Sequence, residues 1–255
     1  MSASLEIRRD GAVVRVSLAR PPLNVLDLAL DRALAEAVGT LAADRDLVAI
    51  VLDGGGARGF SAGVEVADHV PGSVEGMLED FHAVVRALLR AECMTVAAIH
   101  GFALGGGLEL ALACDLVICE ENAQLGFPEI TLGCYPPVAA ALLPARVGWA
   151  AACELALTGE PVTAARAHAL GLVNRLCATG ELSAETDRLL AALTVKSPAV
   201  LREAKRALRE GAGHEPALAL RRIEARYLGD LMSLEDATEG IRAFQEKRAP
   251  RWRNR

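Results

Sequence analysis

Aromatic side chains are scarce in this chain, 4% of 255 residues, although 52% are hydrophobic. Its core is therefore expected to pack on alanine, leucine and valine. The six cysteines (Cys93, Cys114, Cys119, Cys134, Cys153, Cys177) include no C-x-x-C pair. That excludes a zinc motif or disulfide framework and suits buried free thiols in a reducing cytoplasm. No long apolar run escapes interruption, because His100, three glycines, Glu109 and Asp115 break the longest one. The expectation is no membrane span and, with no basic segment leading into an apolar run after Met1, no secretory signal. Positive charge is not in excess either. The net charge of −6 argues against nucleic-acid binding. From Ser197 onward, however, thirteen Lys and Arg stand against nine Asp and Glu, a local +4. This end could serve an anionic ligand or simply form solvated helix faces. A chain of this length can bury one substantial core with a small appended region.

What is present centres on Val96 to Gly133. Val96-Ala97-Ala98-Ile99 has strand length. Gly101 and Gly105-Gly106-Gly107 then allow a tight turn, and a helix is predicted from Leu108 to about Cys114. Gly106 and Gly107 would lie at its N-terminus, where amides lack intrahelical partners. This stretch lacks a phosphate-loop ending and G-x-G-x-x-G spacing. Glu109 falls one turn into the helix, and Glu129 follows twenty residues later in Phe127-Pro128-Glu129-Ile130. Two readings fit: a close-packed strand–turn–helix with Glu109 paired to a base, or an oxyanion site beside two proton-handling carboxylates.

Elsewhere, Leu5–Arg8 and Val13–Leu18 flank Asp10-Gly11 as a hairpin. Asp27 is a predicted cap for a helix to about Ala43, and Val48–Leu52 reads as a buried parallel strand. Val74, Met77, Leu78, Phe81, Val84, Val85 and Leu88 mark an amphipathic helix, with His82 expected on its surface. Helices are predicted up to Gly148, over Ala150–Leu157 and after a Thr163 cap, where His168 reads as structural. From Glu181 onward only helices are expected, broken at Ser197-Pro198, at Gly213-His214-Glu215-Pro216 and near Ser233. The pattern indicates an α/β class with an α-helical end.

Ala97-Ala98-Ile99-His100-Gly101-Phe102-Ala103-Leu104-Gly105-Gly106-Gly107-Leu108-Glu109, then Cys114-Asp115 and Pro128-Glu129-Ile130, resembles the signature of the crotonase (enoyl-CoA hydratase/isomerase) family. The similarity runs from about Ile7 to Trp252. It implies a ββα spiral core over residues 1–195 and a C-terminal helical trimerisation region over 196–255, giving a homotrimer or homohexamer. Glu109 and Glu129 match the family's two catalytic glutamates. Phe60-Ser61-Ala62-Gly63-Val64-Glu65 is similar to its Phe-x-Ala-Gly-x-Asp element, which makes the amides of Val64 and Gly106 the expected oxyanion donors. The resemblance further places Val25, Leu26, Ala62 and Lys247 at coenzyme A. That group belongs to the acyl-CoA substrate, and no separate cofactor or metal is implied.

Straight-chain hydratases of the family carry Gly-Gly-Thr-Gln after the second glutamate, where this chain has Cys134-Tyr135-Pro136-Pro137-Val138. With Asp68-His69, this resembles the cyclohexa-1,5-diene-carbonyl-CoA hydratases. Tyr135, Pro137 and Val138, with Leu142 behind them, are the expected acyl-pocket wall. The two prolines could equally just start the next helix. Two carboxylates favour hydration, since an isomerase needs one principal base. A short-chain enoyl-CoA hydratase, an isomerase and a non-catalytic acyl-CoA-binding protein are the alternatives.

Overall fold

The computed structural model describes residues 5–70, 72–211, 216–251 and 253. Gly213-His214-Glu215 and Trp252 lie outside them. Strands β1 (Leu5–Asp10) and β2 (Val13–Leu18) form the expected hairpin, with Gly11 at φ 57° in its turn. β2 then pairs in parallel with β3 (Ala49–Asp53), and β3 with β4 (Met94–Ile99). β3 and β4 are almost wholly buried, as a parallel strand covered on both faces must be. Two strands that the apolar pattern does not single out complete this six-stranded sheet: β6 (Leu116–Glu120) and β9 (Arg175–Cys177).

A second, three-stranded sheet joins β5 (Phe102–Leu104), β7 (Gln124–Gly126) and β8 (Val162–Thr163). Elements of two or three residues are too short to show a period of two. A bridge from Ser61 to Ala103 extends this sheet by one position. The central turns of the chain thus give one strand to the large sheet, one pairing segment to the small sheet, and then a helix. β3, Ser61 and α2 (Val74–Arg90) form one such turn; β4, β5 and α3 (Gly106–Ala113) form the next. This is the ββα spiral.

α1 (Leu28–Ala42) begins at Asp27, whose carboxylate accepts the Leu30 amide at 2.9 Å. α1 and α2 cover one face of the large sheet with Leu30, Leu34, Val38, Val84 and Leu88. α7 (Leu182–Thr194) covers part of the other, setting Leu189 and Leu190 against Val51, Val96 and Ile118. His82 departs from expectation: it is fully buried, with Nδ1 3.3 Å from Glu224 of α9 (Pro216–Gly229). The α9 helix packs against α2 and turns that face of α2 inward. His168 is structural, its Nδ1 lying 2.9 Å from the Val173 carbonyl. α4 (Pro137–Val147), α5 (Trp149–Thr158), α6 (Ala164–Ala169), α8 (Pro198–Gly211) and α10 (Glu235–Gln245) complete the helices.

Candidate active site

The site forms where the spiral passes from strand to helix at Gly105. This residue has φ 51°, and a Cβ on it would sit 2.7 Å from Glu129 Oε1. Only glycine meets both conditions. At Gly106 a Cβ would lie 2.6 Å from Val64 Cγ2 and 3.4 Å from Val64 N, so the two backbones approach closely. Leu26 donates to the Gly63 carbonyl and accepts from the Glu65 amide, both at 2.9 Å. That pairing leaves the amide of Val64, between them, turned away from Leu26. Neither the Val64 nor the Gly106 N–H donates a hydrogen bond among the described residues. Two unused donors therefore sit side by side, one of them at the positive end of α3.

Buried side chains hold the loop that carries Val64. Ser61 Oγ donates to the Asn24 carbonyl at 2.7 Å and accepts the Gly63 amide at 3.1 Å. Asn24, fully buried at φ 49°, donates to the carbonyls of Gly54 and Phe60 at 2.9 and 3.0 Å. Nothing in the local pattern of residue 24 signals this role, because its partners lie thirty or more positions away.

Glu109 projects from the first turn of α3, and its Oε1 accepts the Ala139 amide at 2.9 Å. That amide is an orphan donor at the start of α4. Pro137 is the first residue of that helix, where it forfeits no intrahelical bond, and it also lines the site. The two expectations for the prolines thus coexist. Glu129 stands on a 3₁₀ turn, Pro128–Leu132, and its Oε2 has no partner among the described residues. Among the described residues, neither carboxylate pairs with a cation. Burial, then the charge of Glu129, pushes Glu109 well above the usual carboxylate range, against the pull of the Ala139 and Val138 amides. Burial raises Glu129 to about 7. Two coupled acids in so dry a place hold a proton between them near neutrality.

Both carboxylates face a cavity of about 260 Å³. Ala62, Val64, Gly106, Tyr135 and Pro137 line it. Val138 and Leu142 do not; they turn into the core. Leu26 is fully buried and pairs with Val64 through its backbone, while Val25 is half-buried and does not line the cavity. Lys247 is exposed, does not line the cavity, and follows α10 at φ 52°. The structure adds walls that sequence reasoning did not assign. Met77, Leu78 and Phe81 come from α2, whose apolar stripe read simply as core. His69, Tyr227 and Phe244 complete the enclosure, the last two from the C-terminal helices. Their signal was faint: aromatics in a chain that has few.

Such a site can hold a carbonyl oxygen on two amides while a carboxylate pair moves protons on a neighbouring carbon and a water. A family model described as enoyl-CoA hydratase/isomerase matches residues 8–255. The chain is 39% identical over 251 residues to a cyclohexa-1,5-dienecarbonyl-CoA hydratase of Thauera aromatica, covering 98% of this chain and 96% of that one. It is 34% identical to a carnitinyl-CoA dehydratase of Salmonella typhi, with both chains fully covered. Among solved structures it resembles an enoyl-CoA hydratase from Mycobacterium avium subsp. paratuberculosis, with a TM-score of 0.87, 31% identity and 99% of each chain covered.

Proposed function

The chain belongs to the enoyl-CoA hydratase/isomerase (crotonase) family and is a lyase of the hydratase type, and from that premise we propose that it adds water to an α,β-unsaturated acyl-CoA through Glu109 and Glu129. The observation that carries this reading is the meeting of two buried, cation-free carboxylates and two undonated amides at one small cavity. The thioester oxygen accepts from the Val64 and Gly106 amides. As the water oxygen bonds to the β-carbon, the π electrons move toward the α-carbon and the thioester oxygen, where the amides meet the growing charge. Each preorganised donor of this kind contributes ~3–4 kcal/mol to such a step. One carboxylate takes the proton that water loses, and the protonated partner delivers its own to the α-carbon. The pair ends with one proton, as it began.

The acyl group we assign is short and cyclic or branched. A cavity of about 260 Å³ leaves little space for a long chain, and Tyr135, Pro137 and Phe81 give it stiff walls. A rigid acyl group loses little conformational freedom on entering. The 39% identity to a hydratase named for a cyclic dienoyl thioester supports the same choice. Ala62 at the cavity rim, Val25 and Leu26 beside it, and Lys247 farther out are assigned to coenzyme A, which arrives with the substrate. Exposed Val200 and Leu208 on α8 offer apolar surface to a homotrimer or homohexamer. Kinetics on crotonyl-CoA, a cyclohexadienecarbonyl-CoA and a long straight-chain enoyl-CoA test the reading. The expected order of kcat/KM is cyclic, then crotonyl, then long chain. Preference for crotonyl-CoA over every cyclic thioester leaves an ordinary short-chain hydratase. Isomerised, unhydrated product makes it an isomerase, and no turnover leaves a binding protein.

A further inference from the structure

Three hydroxyl-bearing side chains line the cavity: Thr131, Tyr135 and Tyr227. Two are already committed. Thr131 Oγ1 donates to the Pro128 carbonyl at 2.7 Å, and Tyr135 Oη to the Ile223 carbonyl at 3.2 Å. Tyr227 Oη has no oxygen or nitrogen partner among the described residues. It meets the Cys134 thiol, a weak acceptor whose own proton goes to the Glu129 carbonyl at 3.4 Å. Leaving a buried hydroxyl on so poor a partner is costly, yet Tyr227 is only 1% exposed. The ring is well held, edge-on to Tyr135 with centroids 5.2 Å apart. Burial, then the Cys134 thiol and the charges of Glu109 and Glu129, pushes the phenol far up, so it remains a donor at every working pH.

We propose that Tyr227 donates a hydrogen bond to the oxygen atom that the carboxylate pair adds to, or removes from, the acyl group. The inference rests on the hydration reading above and deepens it. A water in this site has two protons and two lone pairs. Oxygens of Glu109 and Glu129 can accept hydrogen bonds from both protons, one of which passes to the ionised carboxylate as one lone pair attacks carbon. The fourth position needs a donor, and Tyr227 is the cavity hydroxyl held only by a weak sulfur acceptor, which a water oxygen can displace, within electrostatic reach of both carboxylates. The contact fixes which lone pair faces the double bond. After reaction the same phenol holds the product hydroxyl, so the site distinguishes hydroxyacyl from unhydroxylated thioesters.

Titration calorimetry of the whole protein with 3-hydroxybutyryl-CoA and with butyryl-CoA, which differ by one hydroxyl, reads this directly. The wild type is expected to bind the hydroxylated ester about 10-fold more tightly, the size of one well-made hydrogen bond to a buried donor. Tyr227→Phe keeps the ring and its packing; it should abolish that preference and leave butyryl-CoA affinity unchanged. A preference that survives Tyr227→Phe, an equal weakening of both esters, or no preference in the wild type overturns the assignment. Binding is read without turnover, so failure here is separable from failure of the hydration reading, which shows as no turnover of any enoyl-CoA.

Discussion

Two regions of this protein hold carboxylates away from bulk water to different degrees and treat them in opposite ways. At the base of the large sheet, Asp115 is wrapped in donors: the Thr95 amide at 2.8 Å, the Thr95 hydroxyl at 3.0 Å and the Lys205 ammonium of α8. Lys205 is itself 6% exposed and also donates to the Cys93 carbonyl at 2.6 Å. That arrangement clamps α8 to the ends of β4 and β6. At the cavity, Glu109 and Glu129 are buried more deeply than Asp115, and among the described residues no cation pairs with them and one oxygen of Glu129 lacks any partner. The first is a structural solution, since buried charge is tolerated when matched. On the hydration proposed above, the second gives up stability to keep a proton mobile for acid–base work.

Breaking each side of this contrast should have opposite consequences. Glu109→Gln and Glu129→Gln should each lower hydration by about 10²–10⁴-fold, measured as kcat on the preferred enoyl-CoA. The double variant should lose less than the product of the two, because both residues act on one water. Near-normal turnover in either single variant refutes the pairing. At the other pole, Lys205→Met strands Asp115 and should cost about 3 kcal/mol in denaturant unfolding. A change below about 0.5 kcal/mol would show that Arg209, 3.8 Å from Asp115, suffices.

A pH series sharpens the contrast further. Glu129 rises from an ordinary 4.5 to about 7 on folding, so between those values the folded protein holds a proton that the unfolded chain has released. Its contribution to stability is full below about pH 4.5 and is lost as pH climbs through about 7. Glu129→Gln should therefore be more stable than the wild type at pH 8, by ~3 kcal/mol at most, and not at pH 4. Asp31 offers a control away from the chemistry. It is fully buried on α1 with both oxygens unpartnered among the described residues, and burial, then Asp27, Asp80 and Asp68, raises it to about 8. Asp31→Asn should show the same pH-dependent gain with activity intact. Equal stability differences at pH 4 and pH 8 would refute both assignments. The smallest expected effect is at Lys247, where Lys247→Ala should raise KM a few-fold at low salt and less at high salt. A KM unchanged at every ionic strength would remove this residue from coenzyme A.

Much of the site was legible because its chemistry is local. Gly105, Gly106 and Glu109 fall within one strand–turn–helix, and Glu129 follows on the next 3₁₀ turn. Pro136-Pro137 announced the start of α4, although not that its orphan amides would hold Glu109. Val138 illustrates the limit. It is adjacent to a lining residue, but the helical turn after Pro137 rotates it into the core.

The residue pattern alone determined the hairpin, the long helices, the two carboxylates and the glycines that let backbones approach, since each follows from spacing or conformational freedom over a few positions. The tertiary structure alone decided which amides are unused, that Asn24 ties three loops together, that His82 is buried and that Tyr227 lines the cavity. These depend on contacts between segments thirty to more than a hundred residues apart. No period of 2 or 3.6 encodes such distances; only the packing of α9 onto α2 and α4 brings Tyr227 to a glutamate 98 positions earlier in the chain.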